Sequence, residues 1–223
     1  MRVLVIGANG RMGSQVIELC KSQNIDYVGI DKNSKTHKQQ FDDECKTCDV
    51  AIDFSCAEAL EKNLEFCIKN KINIVVATTE HNDKNISLIN NAKKHIAVFF
   101  ASNLSLGFYK ATKAIQVIDN PQYDVAIIEQ HHKHKKDNPS GSAKSLQKSL
   151  EQNHKSVQCY GIRGGEEVGT HSVIFLSEHE KITVTHQAYS RKVFAQGAID
   201  VALFLKAKKK GLFCMKDFFE YEK

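Results

Sequence analysis

The stretch Glu129-Gln-His-His-Lys-His-Lys-Lys-Asp-Asn-Pro-Ser-Gly-Ser-Ala143 crowds imidazole and ammonium groups into positions 131 to 136. Imidazoles trade protons near neutral pH and lysines hold anions, so this grouping suits proton transfer to a small anionic molecule. Asp137-Asn-Pro139 turns the chain, and Ser140-Gly-Ser142 stands at the predicted start of a helix, where N–H and hydroxyl donors can hold a carboxylate. A histidine among lysines is expected below its usual pKa until a dicarboxylate binds and pushes it back up. Other uses stay open. The imidazoles could take a transition metal, although His131 and His132 point to opposite faces of a continuing strand and no acidic ligand stands at i+4. Contact with RNA phosphates, or a plain solvated charge run, are the remaining readings; neither explains Pro-Ser-Gly-Ser at a helix start.

A second chemical motif opens the chain. Val3-Leu-Val-Ile6 reads as a buried strand, followed by Gly7-x-x-Gly10-x-x-Gly13 and a helix with apolar positions at Met12, Val16, Leu19 and Cys20. Strand, glycine turn and helix in that order begin a dinucleotide-binding βαβ unit, in which the backbone approaches a pyrophosphate at the helix N-terminus. The next strand, Tyr27-Val-Gly-Ile30, ends in Asp31, where a carboxylate suits the adenosine ribose hydroxyls. Asp31 repels a 2′-phosphate and Lys32 attracts one, so NADH and NADPH both stay open.

The elements that must position these groups follow from periodicity. Strands are expected at Asp49–Asp53, 72–77 and 96–101, with helices beginning at Ser55 or Cys56 and spanning 84–94. This alternation predicts an α/β fold with a doubly wound, Rossmann-type parallel sheet. Its ligands belong at the carboxyl ends of the strands, among them Ala77-Thr-Thr79 and Ala101-Ser-Asn103. Thr78 and Thr79 suit a nicotinamide ribose or, alternatively, cap the helix that follows.

Beyond Asn103 the pattern changes. A helix at 105–118 precedes a strand at 125–131, and a short helix at 143–153 follows the histidine cluster. Strands at 158–162, 171–176 and 181–188 then come without helices between them, which predicts a smaller α+β domain with a mixed sheet. A last helix, 194–208, carries Ala198, Val201, Ala202 and Leu205 on one face. The expected division is 1–103 for the dinucleotide domain, with 194–223 packing back onto it, and 104–193 for the substrate domain.

Composition narrows the classes. At 223 residues with 42% hydrophobic content the chain can bury a sizeable core, and no apolar run is long enough for a membrane span. The start lacks a signal-peptide pattern, which makes the cytoplasm the default expectation. A net charge of +5 without a broad basic face or aromatic platforms argues against nucleic acid. The 7 cysteines are scattered, unlike a disulfide framework, and Cys45-x-x-Cys48 is expected to be two incidental thiols in a polar loop. No metal site is expected.

The residues from Glu129 to Ala143 resemble the signature of the dihydrodipicolinate (4-hydroxy-tetrahydrodipicolinate) reductase family, which acts in the diaminopimelate route to lysine. Asp53-Phe-Ser55, Ala101-Ser-Asn-Leu-Ser105, Arg163-x-Gly165-x-x-Val-Gly-x-His171, Ser190-Arg191-x-x-Phe194-Ala-x-Gly197 and Gly211-Leu-Phe213 extend the resemblance over nearly the whole chain. It implies that His131 donates or accepts a proton and that Lys135 is a second donor. It implies that His132, Gly141 and Ser142 hold a small dicarboxylate, with Ser140 nearby. Gly7, Ala8, Asn9, Gly10, Arg11 and Met12 would line the NADH or NADPH site, with Asp31, Lys32, Ala77, Thr78, Thr79, Ala101, Ser102, Asn103 and Leu104. A homotetramer built through the second sheet is also implied. Three departures stand out: Ala77-Thr-Thr-Glu80 replaces the usual Gly-Thr-Thr-Gly, Ser142 replaces a threonine, and the loop after Asp31 is short. Glu80 is expected to add negative charge near the cofactor. Two competing readings are another two-domain dehydrogenase of amino or keto acids and a non-catalytic dinucleotide sensor; the latter would not need both proton donors.

Overall fold

The structure is a computed structural model and describes residues 1–33, 35–79 and 81–221. The chain divides into two compact units, Met1–Leu104 with Lys192–Lys223, and Ser105–Arg191.

The first unit contains β1 (Arg2–Ile6), α1 (Arg11–Ser22), β2 (Asp26–Ile30), β3 (Val50–Asp53), α2 (Leu60–Asn70), β4 (Asn73–Val76), α3 (Asp83–Ala92) and β5 (Ala97–Phe100). The second contains α4 (Leu106–Ile118), β6 (Asp124–His131), α5 (Gly141–Leu150), β7 (Val157–Arg163), β8 (Thr170–Leu176) and β9 (Lys181–Gln187). The chain then re-enters the first unit as α6 (Lys192–Lys206), β10 (Gly211–Phe213) and α7 (Met215–Tyr221). Among the described residues, no helix is long and apolar enough to cross a membrane.

In the first unit all strands run parallel in the order β10-β5-β4-β3-β1-β2. Strands buried on both faces need apolar residues at every position, which is why Val3 to Ile6, Val50 to Ile52 and Ile74 to Val76 are continuous apolar runs. Leu4, Ala51, Ile74 and Val98 face a core closed by Leu60, Leu64 and Cys67 of α2 and Ile89 of α3. α6 lies against β3, β4 and β5, where Phe204 meets Phe99 edge-on at 6.4 Å. One buried amide fixes the end of α6. Asn73 Nδ2 donates to the carbonyls of Leu205 (2.9 Å) and Lys208 (2.8 Å), while its Oδ1 accepts from Ala97 N (2.9 Å).

The expected α/β architecture is present, and one local expectation is corrected. Cys45 and Cys48 are not loop thiols: a 3-10 turn over Cys45–Thr47 places both in the apolar core, and burial pushes the Cys48 thiol up to about 12. The segment before them is held by Lys38, which pairs with Asp42 and Glu44 at 2.6 and 2.8 Å, and by Phe41 stacked on Phe66. The helix expected from Ser55 or Cys56 opens there as a 3-10 turn, Ala57–Ala59 with Cys56 at its N-cap, and runs directly into α2; the Ser55 N–H and Oγ–H both donate to Asp53 Oδ1 (2.9 and 2.6 Å). β10 and α7, too short to show a period, were not anticipated as a strand and a helix.

In the second unit the sheet order is β7-β6-β8-β9, with β6 and β7 parallel and the other pairs antiparallel. Val125 and Ile127 of β6, with Val173 and Phe175 of β8, pack on Ile115 of α4 and on Ala143, Leu146 and Leu150 of α5. The other face carries Tyr160 and Ile162, about half exposed at 54% and 51%.

Candidate active site

The period of two along β6 continues the buried row Val125, Ile127 into Glu129 and His131, so a carboxylate and an imidazole occupy the core-facing side past the end of the apolar cluster. Register completes a polar row across the sheet. Glu129 pairs with Gly161 of β7 and His171 of β8, His171 pairs with His186 of β9, and His131 pairs with Arg163.

Glu129 is the hub and is fully buried. Its Oε1 accepts from Arg163 Nη2 (2.6 Å) and Ser140 N (3.0 Å); its Oε2 accepts from Arg163 Nη1 (3.0 Å) and meets His131 Nδ1 at 2.5 Å. Arg163 Nη2 also donates to the Asp137 carbonyl (2.6 Å). Only glycine fits opposite the hub, since a Cβ at Gly161 would lie 1.8 Å from Asn138 Oδ1 and 2.6 Å from Glu129 Oε1. Ser140 caps α5, accepting from Ala143 N at 3.3 Å, and its Oγ lies 3.0 Å from His171 Nε2. His171 meets the rings of His131 (5.1 Å) and Phe108 (5.3 Å) edge-on.

Burial alone would raise the Glu129 carboxyl, but the bonds from Arg163, His131 and Ser140 outweigh it and hold it below its ordinary range. An ionised carboxylate only accepts, so the His131 Nδ1–H donates and its Nε2 is left for other chemistry. Burial lowers His131, opposed by Glu129 and reinforced by Lys135 and Arg163. The expected direction holds, but burial rather than the neighbouring lysines is the main cause. Burial also lowers His186, and pushes His171 down to about 4. Glu129, His131 and His171 converge closely enough to suggest a cation. The Arg163 guanidinium already neutralises that carboxylate, and a cation would have to displace it.

His132 is buried and donates its N–H to the Glu167 carbonyl (2.8 Å). Lys135 is half-buried and its Nζ lies 2.8 Å from Asp137 Oδ1. Gly141 and Ser142 form the half-buried first turn of α5; a Cβ at Gly141 would meet nothing within 4 Å, and the Gly141 N–H donates to the Asp137 carboxylate, helping to hold it below its ordinary range. Lys133, His134 and Lys136 are exposed. Among the expected residues, His131 and Ser140 are joined through Glu129. Sequence reasoning assigned no role to Glu129, Arg163, His171 or His186. Glu129 was findable by stepping back two from His131; Arg163, His171 and His186 depend on strand pairing.

In the first unit the glycine loop closes tightly at the end of β1. Gly7 has φ +82°, and a Cβ there would lie 2.8 Å from the Phe54 carbonyl carbon; one at Gly13 would lie 2.1 Å from the Gly7 carbonyl oxygen. Gly10, which has no side chain to cap with, stands at the N-cap of α1. Ala8 is buried, Asn9 and Arg11 are exposed, and Met12 is half-buried. Asp31 Oδ2 accepts from Asn9 N (3.2 Å) and Oδ1 from Asn33 N (3.1 Å), which ties the end of β2 to the loop; Lys32 is exposed. The cradle and the adjacent carboxylate fit a dinucleotide.

Thr78 is buried with its Oγ1 3.0 Å from His81 Nε2, and Thr79 is exposed; neither caps α3, a role taken by Asn82. Ala77, Ala101 and Asn103 are half-buried, Ser102 is exposed, and Leu104 is in the core. The charge expected at Glu80 lies outside the described residues.

A parallel doubly wound sheet with a glycine cradle, joined to a mixed-sheet unit holding a buried carboxylate–imidazole–guanidinium network, defines the class of two-unit α/β oxidoreductases. The chain belongs to the dihydrodipicolinate reductase family: the family's N-terminal profile matches residues 1–104 and its C-terminal profile residues 104–219. It is 33% identical to the 4-hydroxy-tetrahydrodipicolinate reductase of Rickettsia bellii, over 96% of this chain and 92% of that protein. Identity to the reductase of Wigglesworthia glossinidia brevipalpis is 36%, over 96% and 91%. A dipicolinate-bound dihydrodipicolinate reductase from Paenisporosarcina sp. TG-14 shares the fold with a TM-score of 0.74 at 20% identity, covering 96% of this chain and 97% of that one.

Proposed function

We propose that this chain is an NADH- or NADPH-dependent 4-hydroxy-tetrahydrodipicolinate reductase that forms tetrahydrodipicolinate on the diaminopimelate route to lysine. The observation that carries the reading is the buried His131, paired with Glu129 and tied to the Ser140 cap of α5, in a chain of this family.

A bound nicotinamide dinucleotide supplies the hydride, which goes to the ring carbon left by loss of the 4-hydroxyl as water. Gly7, Ala8, Asn9, Gly10, Arg11 and Met12 hold its pyrophosphate, Asp31 and Lys32 its adenosine end, and Ala77 to Thr79 and Ala101 to Leu104 its nicotinamide side. Asp31 favours NADH, Lys32 favours a 2′-phosphate, and together they support use of both.

His132, Gly141 and Ser142 hold the substrate carboxylates at the α5 N-terminus, where N–H groups and the dipole favour anions. Ser140 closes that turn. Proton delivery to the carbon next to the reduced one falls to His131. Alone it is held neutral by burial, and a bound dianion raises its affinity for the proton it must donate. Lys135 is the second proton donor, and substrate competes with Asp137 for its ammonium. The open, partly apolar face of the second sheet supports assembly through that sheet into a homotetramer. The reading places the enzyme in the cytoplasm, acting on a small dicarboxylate rather than on nucleic acid or membrane.

The test is a coupled assay with pyruvate, aspartate semialdehyde, the upstream synthase and NADH or NADPH, followed by absorbance. Cofactor oxidation above the synthase-only control is expected. Its absence, where a known reductase turns over, would sink the assignment. Lys135→Ala is expected to lose most turnover while still binding cofactor.

A further inference from the structure

We propose that Glu129 is the positioning residue of the reaction: it sets the tautomer of His131 and favours the protonated ring against the burial around it. The inference rests on the reading of His131 as proton donor and deepens it.

The geometry shows a carboxylate with one possible behaviour. Glu129 is fully buried, and each of its oxygens is engaged: Oε1 by Arg163 Nη2 and Ser140 N, Oε2 by Arg163 Nη1 and His131 Nδ1. Two guanidinium bonds prevent the carboxylate from rotating away, and the α5 cap supplies a third restraint. The ring is therefore oriented from behind, with Nδ1 committed and Nε2 presented. Nε2 lies on the side of Gly169, where a Cβ would come within 3.0 Å of it.

The other charged or titratable groups around His131 do not supply this. Arg163 on β7 and Lys135 in the following loop disfavour an imidazolium; His171 on β8 and His186 on β9 are themselves held neutral by burial. Asp137 is engaged by Lys135, while Phe108 of α4 and Ser140 of α5 contact His171. Glu129 is the group that opposes burial at this ring. Its removal leaves desolvation and two cations opposed by the bound dianion alone, so His131 holds its proton more weakly.

Glu129→Gln is informative because it preserves shape. Arg163 can only donate, so it claims the amide oxygen and turns the amide N–H₂ toward His131 Nδ1. The ring then takes the Nε2–H tautomer, and its neutral form cannot accept at Nε2. The alkaline limb of kcat is expected to move down by at least about one pH unit, which is about tenfold less turnover on that limb, with KM nearly unchanged. Glu129→Asp, which keeps the charge, is expected to restore part of the limb. Independently of turnover, ¹⁵N spectra should show neutral His131 as Nδ1–H in the wild type and Nε2–H in Glu129→Gln.

His131→Gln separates the two claims. Full activity in that variant refutes His131 as donor. Loss of activity there, with an unshifted limb and unchanged tautomer in Glu129→Gln, overturns the role of Glu129 alone. Should Glu129→Gln fail to fold, the wild-type spectrum decides, since an Nε2–H tautomer in the native protein contradicts the proposal.

Discussion

Arg163→Met tests whether the buried network holds the second unit together. The guanidinium donates twice to a carboxylate with no exposure, at 2.6 and 3.0 Å, and its own side chain is 14% exposed. Removing one partner of a buried pair leaves an uncompensated charge and costs about 3–5 kcal/mol. That corresponds to roughly 10²–10⁴ in the equilibrium constant for opening. Native-state hydrogen exchange reads it directly: amides of β6, β7 and β8 should lose that much protection while amides of β1, β3 and β4 stay unchanged. The pH dependence has a definite sign. Because Glu129 is held below its ordinary 4.5, its contribution is fully present above that pH and is lost as pH falls through its lowered pKa. In Arg163→Met burial raises the unpaired carboxyl, so the gap should begin to narrow above pH 4.5, as the variant takes up a proton, and narrow further as pH falls through the lowered wild-type pKa. Unchanged protection at β6 to β8, or a gap constant down to pH 3, would refute the reasoning.

His171 is pushed down to about 4 by burial, so between pH 6.5 and 4 the unfolded chain binds a proton that the native one refuses. The second unit should lose up to about 3 kcal/mol over that window and none from this group below it, and His171→Gln should flatten the loss in an exchange or thermal titration. Gly161→Ala forces a methyl against Asn138 and Glu129; overpacking should cost about 1–3 kcal/mol and cut turnover, measured beside unaltered NADH binding. Lys32→Ala should weaken NADPH at least about tenfold more than NADH in binding titrations, as expected for a lost charge-assisted phosphate contact; equal effects would show that Lys32 does not touch the phosphate.

Much of the fold was legible because its signals are local. The continuous apolar runs of β1, β3 and β4 and the glycine turn after Ile6 announce a parallel sheet, and both follow from burial on two faces and from backbone crowding at Gly7 and Gly13. Where neighbours in space compete with neighbours in sequence, the local signal failed. Cys45 and Cys48 sit in the core within a polar stretch.

The sequence by itself determined the residue types: a cradle for an anion at the first strand, an imidazole-rich strand end, and a helix start with hydroxyls and a glycine. Those are properties of contiguous residues and their intrinsic chemistry. Only the tertiary structure decided which imidazole is held and in which tautomer. That depends on Gly161, Arg163, His171 and His186 coming beside Glu129 through strand register. Register is a long-range pairing, set by the alternation that buries Val125 and Ile127 against α4 and α5, and short stretches of chain do not encode it. The same burial makes Glu129 dominant: once water is excluded, a fixed carboxylate outweighs the exposed lysines that are most conspicuous in the sequence.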